Sequence, residues 1–316
     1  MAGNRSVVIA ALVANGAIAV LKFGGFLLTG SPSMLSETYH SISDTGNQVF
    51  LLIGIRYSGK APSIEHPFGY GKAQFFYSFL VSVFLFGIAG WESLKHGYNA
   101  LTAGTHAGPT GPVTLPVVGV SVDAYFINVA ILLGAIAFEG YALDKAFAEL
   151  SRQMRRYGWD DLVEAFKTTS DVTTLTAFTE DTIALVGAAL ALVGITLSRW
   201  THNPAYDAAA AVLIGLLLMG FALALAWENK RLLLGESVPP KLGDELQNVV
   251  RTHRGVVHVD HFRTMYVGPE SILVAAEVSF DPELDTSELD EDITQIETKL
   301  QEVDERIRFA YIEPEL

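Results

Sequence analysis

Six separated runs of mostly apolar residues dominate the chain, at about 6–29, 33–56, 73–99, 122–146, 172–198 and 205–227. A helix rises about 1.5 Å per residue, so runs of roughly 20 residues cross the hydrocarbon of a bilayer. No water is available there to bond the peptide groups, and helices satisfy those groups internally. Residues 1–234 are therefore expected to form an all-α membrane bundle of six transmembrane helices. Six spans put both termini on one side. Connections on that side carry Arg5, Arg56, Lys60, Lys72, Lys145, Arg152, Arg155, Arg156 and Lys167, whereas the opposite side offers Lys95 and Arg199. The positive-inside rule makes the termini cytoplasmic. The apolar run after Arg5 outlasts a signal-peptide core and lacks a small-residue cleavage site, so it is expected to remain as the first helix. With no transit peptide evident, a bacterial or archaeal plasma membrane is the expected location. The stretch 102–120, rich in Gly, Pro and Thr, is expected to be a flexible exposed loop.

Charge divides the chain at the same place as hydropathy. From Glu236 onward there are 19 Asp and Glu against 7 Lys and Arg, or −12 of the total −14. An acidic soluble tail, 235–316, thus follows the apolar body. Pro239 and Pro240 stop the last span. A helix is expected over 241–251, strands over 256–267 and 272–280 around Gly268-Pro269, a helix over 286–302 and a strand over 307–312. This αββαβ order fits a small α+β, ferredoxin-like domain of the kind that pairs with a copy of itself.

The second run contains an anomaly, Ser36-Glu-Thr-Tyr-His-Ser-Ile-Ser-Asp-Thr-Gly-Asn-Gln48. His40 and Asp44 stand at i and i+4, on one helix face. Ionisable groups are costly in hydrocarbon and point to an ion, proton or substrate pathway. Buried polar groups can also simply hydrogen-bond helices together. Cysteine is absent, so a metal site would use His, Asp, Glu or backbone oxygen, which suits borderline to hard divalent ions.

Several blocks together resemble one family. They are Leu21-Lys22 through Thr29-Gly30-Ser31, the Ser36–Gln48 segment, His66-Pro67-Phe68-Gly69-Tyr70, Phe138-Glu139-Gly140, Glu180-Asp181, Asn203-Pro204-Ala205-Tyr206-Asp207 and Gly235-Glu236-Ser237. In this order, with six spans and an αββαβ tail, the chain resembles the cation diffusion facilitators, and within them the zinc transporter 9-like branch. The resemblance implies a homodimeric antiporter that exports a divalent cation, typically Zn2+, against inward protons. It also implies a tetrahedral site with two ligands from the second span and two from the fifth. His40 and Asp44 fall on the second-span positions and Asp181 on one fifth-span position. The other fifth-span position is Ala177, which cannot bind metal. Glu180 is the expected substitute, because Ala177 projects between Glu180 and Asp181 at about 100° per residue. A set rich in carboxylate leaves Zn2+ first and brings Mn2+, Fe2+ and Co2+ into consideration.

Further acids have open roles. Glu37, one turn before His40, reads as a fourth ligand, a proton acceptor or a solvated carboxylate near the outer helix end. Glu139 suggests proton passage or a packing hydrogen bond, and Asp207 an N-terminal helix residue near the membrane surface. Lys22 is expected to snorkel or to pair with an acid of a neighbouring helix. Where the family places two loop histidines, only His66 remains, with Tyr70 at the other position, so no strong site is expected there. The family's tail site aligns with Asp260, Ala276, Tyr311 and Glu313, and the nearby His253, His258 and His261 are expected to be surface groups. The tail is expected to dimerise without a tight metal pair. No prosthetic group and no nucleic acid partner are expected. A metal-responsive sensor and a membrane metalloenzyme are the alternative functions, and the latter lacks an HExxH motif or a nucleophile context.

Overall fold

The computed structural model describes residues 2–103, 112–114, 121–157, 161–162, 165 and 172–315. The first two spans are α1 (Ala2–Thr29) and α2 (Pro32–Ser58), joined by the tight turn at Gly30-Ser31. The third span runs from α3 (Ala73–Phe84) through a π-helical segment (Leu85–Gly90) into α4 (Trp91–Ala103). The fourth is α5 (Ala124–Tyr157), the fifth α6 (Val172–Thr201) and the sixth α7 (Ala205–Leu234). The membrane part of the chain is the expected all-α bundle, with one addition. Within 102–120, expected to be an irregular loop, most residues lie outside those described. Pro112–Thr114 (β1) pairs antiparallel with Ser121–Asp123 (β2), just before α5. Arg199 at the end of α6 holds Asp123 at 2.7 Å.

Five of the spans are long and apolar enough to cross a membrane by length and composition, and α2 falls short. Its polar residues are the reason. Ser33, Ser36, Glu37, Thr38, His40 and Ser41 are all buried within the bundle. The helices around α2 turn large apolar side chains outward instead, including Val20, Leu27, Phe126 and Leu216. Between the spans, small residues allow close backbone approach, the usual mode of packing in lipid. A Cβ on Gly97 would lie 2.8 Å from the Val212 amide nitrogen, and one on Gly215 only 2.6 Å from that of Leu94. The third and sixth spans are therefore in backbone contact. Ala188 and Ala191 of α6, Ile214 and Leu218 of α7, Leu132 of α5 and Met34 of α2 fill the core nearby.

The chain divides into two compact units, residues 1–53 with 77–227, and 54–76 with 228–316. The expected boundary at 234/235 falls inside the second unit, which also takes in the loop after α2. In that unit α8 (Pro240–Arg251), β3 (Val256–Gly268), β4 (Ser271–Phe280), α9 (Thr286–Val303) and β5 (Ile307–Glu315) reproduce the expected αββαβ order. The sheet order is β3-β4-β5, with β3 antiparallel and β5 parallel to β4. The unit β4–α9–β5 is contiguous, with no strand inserted between its two parallel members. Alternate residues of β4, Ile272, Val274, Ala276, Val278 and Phe280, are buried, as period-two patterning demands of a sheet covered on one face. Leu246 and Val250 of α8 and Ile296 and Leu300 of α9 are the buried helix residues. Asp285 caps α9 and closes a capping box with Glu288.

The loop after α2 belongs to this unit by contact. Phe68 meets Phe309 edge to face at 5.2 Å. Gly71 lies so close to β3 that a Cβ would stand 2.5 Å from the Val267 carbonyl oxygen. Just before β5, Arg306 donates to both Asp304 oxygens. Burial opposes ionisation of Asp304, but hydrogen bonds and charge from Arg306 outweigh it and hold the carboxyl below its ordinary value.

Two outcomes follow from this packing. Gly215→Leu forces α4 and α7 apart and costs about 1–3 kcal/mol by overpacking; it should lower the thermal unfolding midpoint of the purified protein. Gly220→Ala, where nothing lies within 4 Å, should be neutral. Because Asp304 is depressed in the folded state, its stabilisation is complete above the ordinary carboxylate value of about 3.9 and is lost as pH falls through the lower folded value. Asp304→Ala should therefore destabilise by about 1–2 kcal/mol at neutral pH. The gap from wild type should close in acid, as read by thermal unfolding across a pH series.

Candidate metal site

The site is organised by the N-terminus of α2. Helix starts leave amide donors unsatisfied, and this one is capped from another span. Asp207, at the start of α7, accepts from Ser31 Oγ at 2.7 Å, from the Ser33 amide at 3.3 Å and from Ser33 Oγ. Asp207 stands in the first turn of its helix, as expected, and is in addition a buried cap between the second and sixth spans. Thr29 Oγ1 donates to Asn128 Oδ1 of α5 at 2.9 Å and ties the turn to the fourth span.

From this anchor, α2 carries Glu37, His40 and Asp44 along one face, at successive intervals of three and four residues. Glu37 is fully buried, and its Oε2 accepts from Lys22 Nζ of α1 at 2.7 Å. The solvated reading of Glu37 is thereby corrected. The hairpin turn does not expose this position, because α1 and α6 cover it. Glu37 Oε1 has no hydrogen-bond partner, and a Cβ on Gly187 of α6 would come within 2.5 Å of it. Lys22 pairs with a neighbouring helix instead of snorkelling. His40 Nδ1 lies 3.5 Å from Asp44 Oδ1. Neither ring nitrogen of His40 makes a hydrogen bond, so the imidazole is buried with its coordinating atoms unused.

The fifth span supplies the other expected pair. Asn47 Nδ2 of α2 donates to Glu180 Oε1 of α6, a contact that directly joins the two spans expected to share a cation. Asn47 continues the His40–Asp44 face by one turn, a spacing that could have identified it from sequence. Asp181 is partly buried. Glu180, Glu139, Lys22 and Glu37 all lie close enough to Asp44 to act on it electrostatically. Asp181 acts in the same way on Glu180 and Glu139. Glu139 of α5 is buried within reach of Lys22. The structure thus brings together His40 with Asp44 and Asn47 with Glu180. Among the described residues, no three His, Asp or Glu side chains converge closely enough to hold a metal ion. The four residues expected as ligands stand on two helices, α2 and α6, and do not converge in this structure.

Outside the membrane the accessory positions are simple. His66 is exposed and stacks on Tyr70 at 4.3 Å between ring centres. In the tail, Asp260 accepts from Ser279 at 2.7 Å, and His258 and His261 are exposed beside Asp260 and Glu277. His253 departs from the expectation of a surface group. It is buried, with Nε2 3.3 Å from Asp292 and Nδ1 3.1 Å from Lys299, and so ties the end of α8 to α9.

Comparison with known proteins bears on this arrangement directly. Residues 8–234 match the model of the cation efflux transmembrane domain. The chain belongs to the cation efflux family. That is a family of multi-pass membrane transporters, not of enzymes. Among similar proteins, the human Proton-coupled zinc antiporter SLC30A9, mitochondrial, is 30% identical over 303 residues, covering 95% of this chain and 50% of that protein. Metal tolerance protein C4 of Arabidopsis thaliana is 27% identical over 281 residues, 89% of this chain and 58% of that protein. Cation-efflux pump FieF of Salmonella newport is 26% identical over 262 residues, 83% and 76% respectively. The chain spans about half the length of the SLC30A9 proteins it matches.

The Asp207 cap makes its own prediction. Asp207→Ala leaves the α2 donors and two serines without their acceptor, at a cost of about 1–3 kcal/mol. Asp207→Asn, which keeps one acceptor oxygen, should lose less. The thermal unfolding midpoints of the two purified variants should rank accordingly.

Proposed function

We propose that this member of the cation efflux family is a divalent cation/proton antiporter that moves Zn2+ out of the cytoplasm by alternating access. Mn2+, Fe2+ and Co2+ are further substrates to which an oxygen-rich ligand set is suited. His40, Asp44, Glu180 and Asp181 are the proposed ligands. The observation that carries the reading is the buried His40 beside the partly buried Asp44, with both imidazole nitrogens free of hydrogen bonds, on the one span that is too polar to pass as an ordinary membrane helix. Asn47–Glu180 supports it by joining that span to the second half-site.

Cation binding needs a neutral imidazole and ionised carboxylates, so it expels protons, and reprotonation from the far side expels the cation. His40 is the proposed proton switch, since an imidazole nitrogen holds either a proton or a metal ion. Glu139 lies near enough to this cluster to take part in proton passage. The protein works as a homodimer joined through residues 235–316, in the plasma membrane of a bacterium or archaeon. Both termini face the cytoplasm, where the acidic tail attracts cations to the inner mouth.

Proteoliposomes with an imposed proton gradient test this. Wild type should accumulate Zn2+ with opposite proton movement. His40→Ala and Asp181→Ala should abolish uptake, and Glu180→Gln should reduce it at least about tenfold, the loss expected when a charged ligand becomes a neutral one. A protein that binds Zn2+ but never moves it would be a sensor, and Zn2+ uptake by His40→Ala at the wild-type rate would refute the site.

A further inference from the structure

Among the described residues Lys22 is the single Lys or Arg that is buried. It ends at Glu37, one helical turn from His40, and is close enough to act electrostatically on His40, Asp44 and Glu139 as well. A purely structural ion pair would be expected to satisfy both partners. Here Glu37 Oε1 is left without a hydrogen bond and faces α6 at Gly187, where only a residue without a side chain leaves room for it. The pair therefore sits between the two spans that carry the half-sites and keeps one carboxylate oxygen unused.

We propose that Lys22 is a tethered cation that sets the affinity of the transport site. In the empty protein its ammonium supplies positive charge to an acid cluster that would otherwise be uncompensated in a low-dielectric interior. When a divalent ion enters, the fixed charge repels it and prevents a carboxylate-rich site from holding it too tightly to release. Glu37 offsets that repulsion, and its distance from the site decides by how much. Lys22 is thus a residue that tunes affinity without touching the cargo, and Glu37 is its counterweight. The inference rests on the reading that His40 and Asp44 hold the transported ion.

The two charges must then act on affinity with opposite signs, whereas partners in a purely structural bridge weaken the protein in the same direction. The test is Zn2+ affinity of the full-length protein in detergent, measured by competition with a chromophoric chelator alongside thermal unfolding. Lys22→Gln should tighten Zn2+ binding about tenfold, and Glu37→Gln should weaken it by a similar factor, since a unit charge at this range in a protein interior is worth about that much. Each single variant should unfold at a lower temperature. Lys22→Gln/Glu37→Gln should recover both stability and near-wild-type affinity, and Lys22→Arg should stay close to wild type. In proteoliposomes Lys22→Gln should lower KM and the maximal rate together, because release becomes slow.

Shifts of both single variants in the same direction, or a change of less than about twofold in either, would overturn the proposal. If Lys22→Gln yields no folded protein, Glu37→Gln decides alone, and tighter or unchanged binding by it overturns the proposal. Zn2+ binding by His40→Ala equal to wild type would instead remove the site itself, an outcome separate from any result at Lys22.

Discussion

The cost of placing polar and charged groups in a membrane organises this molecule. α2 carries more such groups than a lipid-facing helix can tolerate, so it has to be surrounded by protein. Each neighbour answers one part of that demand. α1 provides Lys22 for Glu37, α7 provides Asp207 for the serines at the helix start, and α6 meets Asn47 through Glu180. The other spans can then be as apolar as lipid requires, and they pack on one another through glycine and alanine. The position of α2 follows from the chemistry of its side chains and not from its hydropathy, the one property in which it differs from a membrane helix.

Much of this was legible in the sequence, for reasons that differ by region. The tail's elements followed from period-two alternation in β4, the paired prolines before α8 and the Asp285-x-x-Glu288 start of α9. These are local signals, and the structure places every boundary within a few residues of the expected one. The six spans were expected from runs of apolar residues, although α2 is too polar to pass by length and composition as the other five do. What the residues could not reveal was pairing across long separations. Glu37 lies 15 residues from Lys22, and Asp207 lies 176 from Ser31. Nothing in the spacing within one helix says which residue of another helix will meet it. The helix-start position of Asp207 could be read from sequence but not its buried serine partners, and for Glu37 the spacing left a ligand, a proton acceptor and a solvated carboxylate all open.

The loop after α2 shows the same limit. His66-Pro67-Phe68-Gly69-Tyr70 drew attention as a place where the family keeps loop ligands, yet Phe68 and Gly71 are its structurally engaged residues. They pack on Phe309 and on the backbone at Val267. Since α2 continues into this loop, the helix that bears His40 and Asp44 is covalently continuous with a segment seated on the tail's sheet.

The half-sites give a physical reason for motion. Glu180 is held by Asn47, while His40 and Asp44 face each other too loosely for a good hydrogen bond. In the proposed ligand set, a cation would exchange the Asn47–Glu180 contact for a Glu180–metal contact. A neutral amide is a weak competitor for a carboxylate against a divalent ion, so the exchange is favourable once the ion arrives. Without an ion, the same amide gives Glu180 a partner and spares it the cost of an unpaired, partly buried carboxylate. Lys22 likewise spares Glu37 that cost, and in the proposed scheme it stays in place when the ion binds.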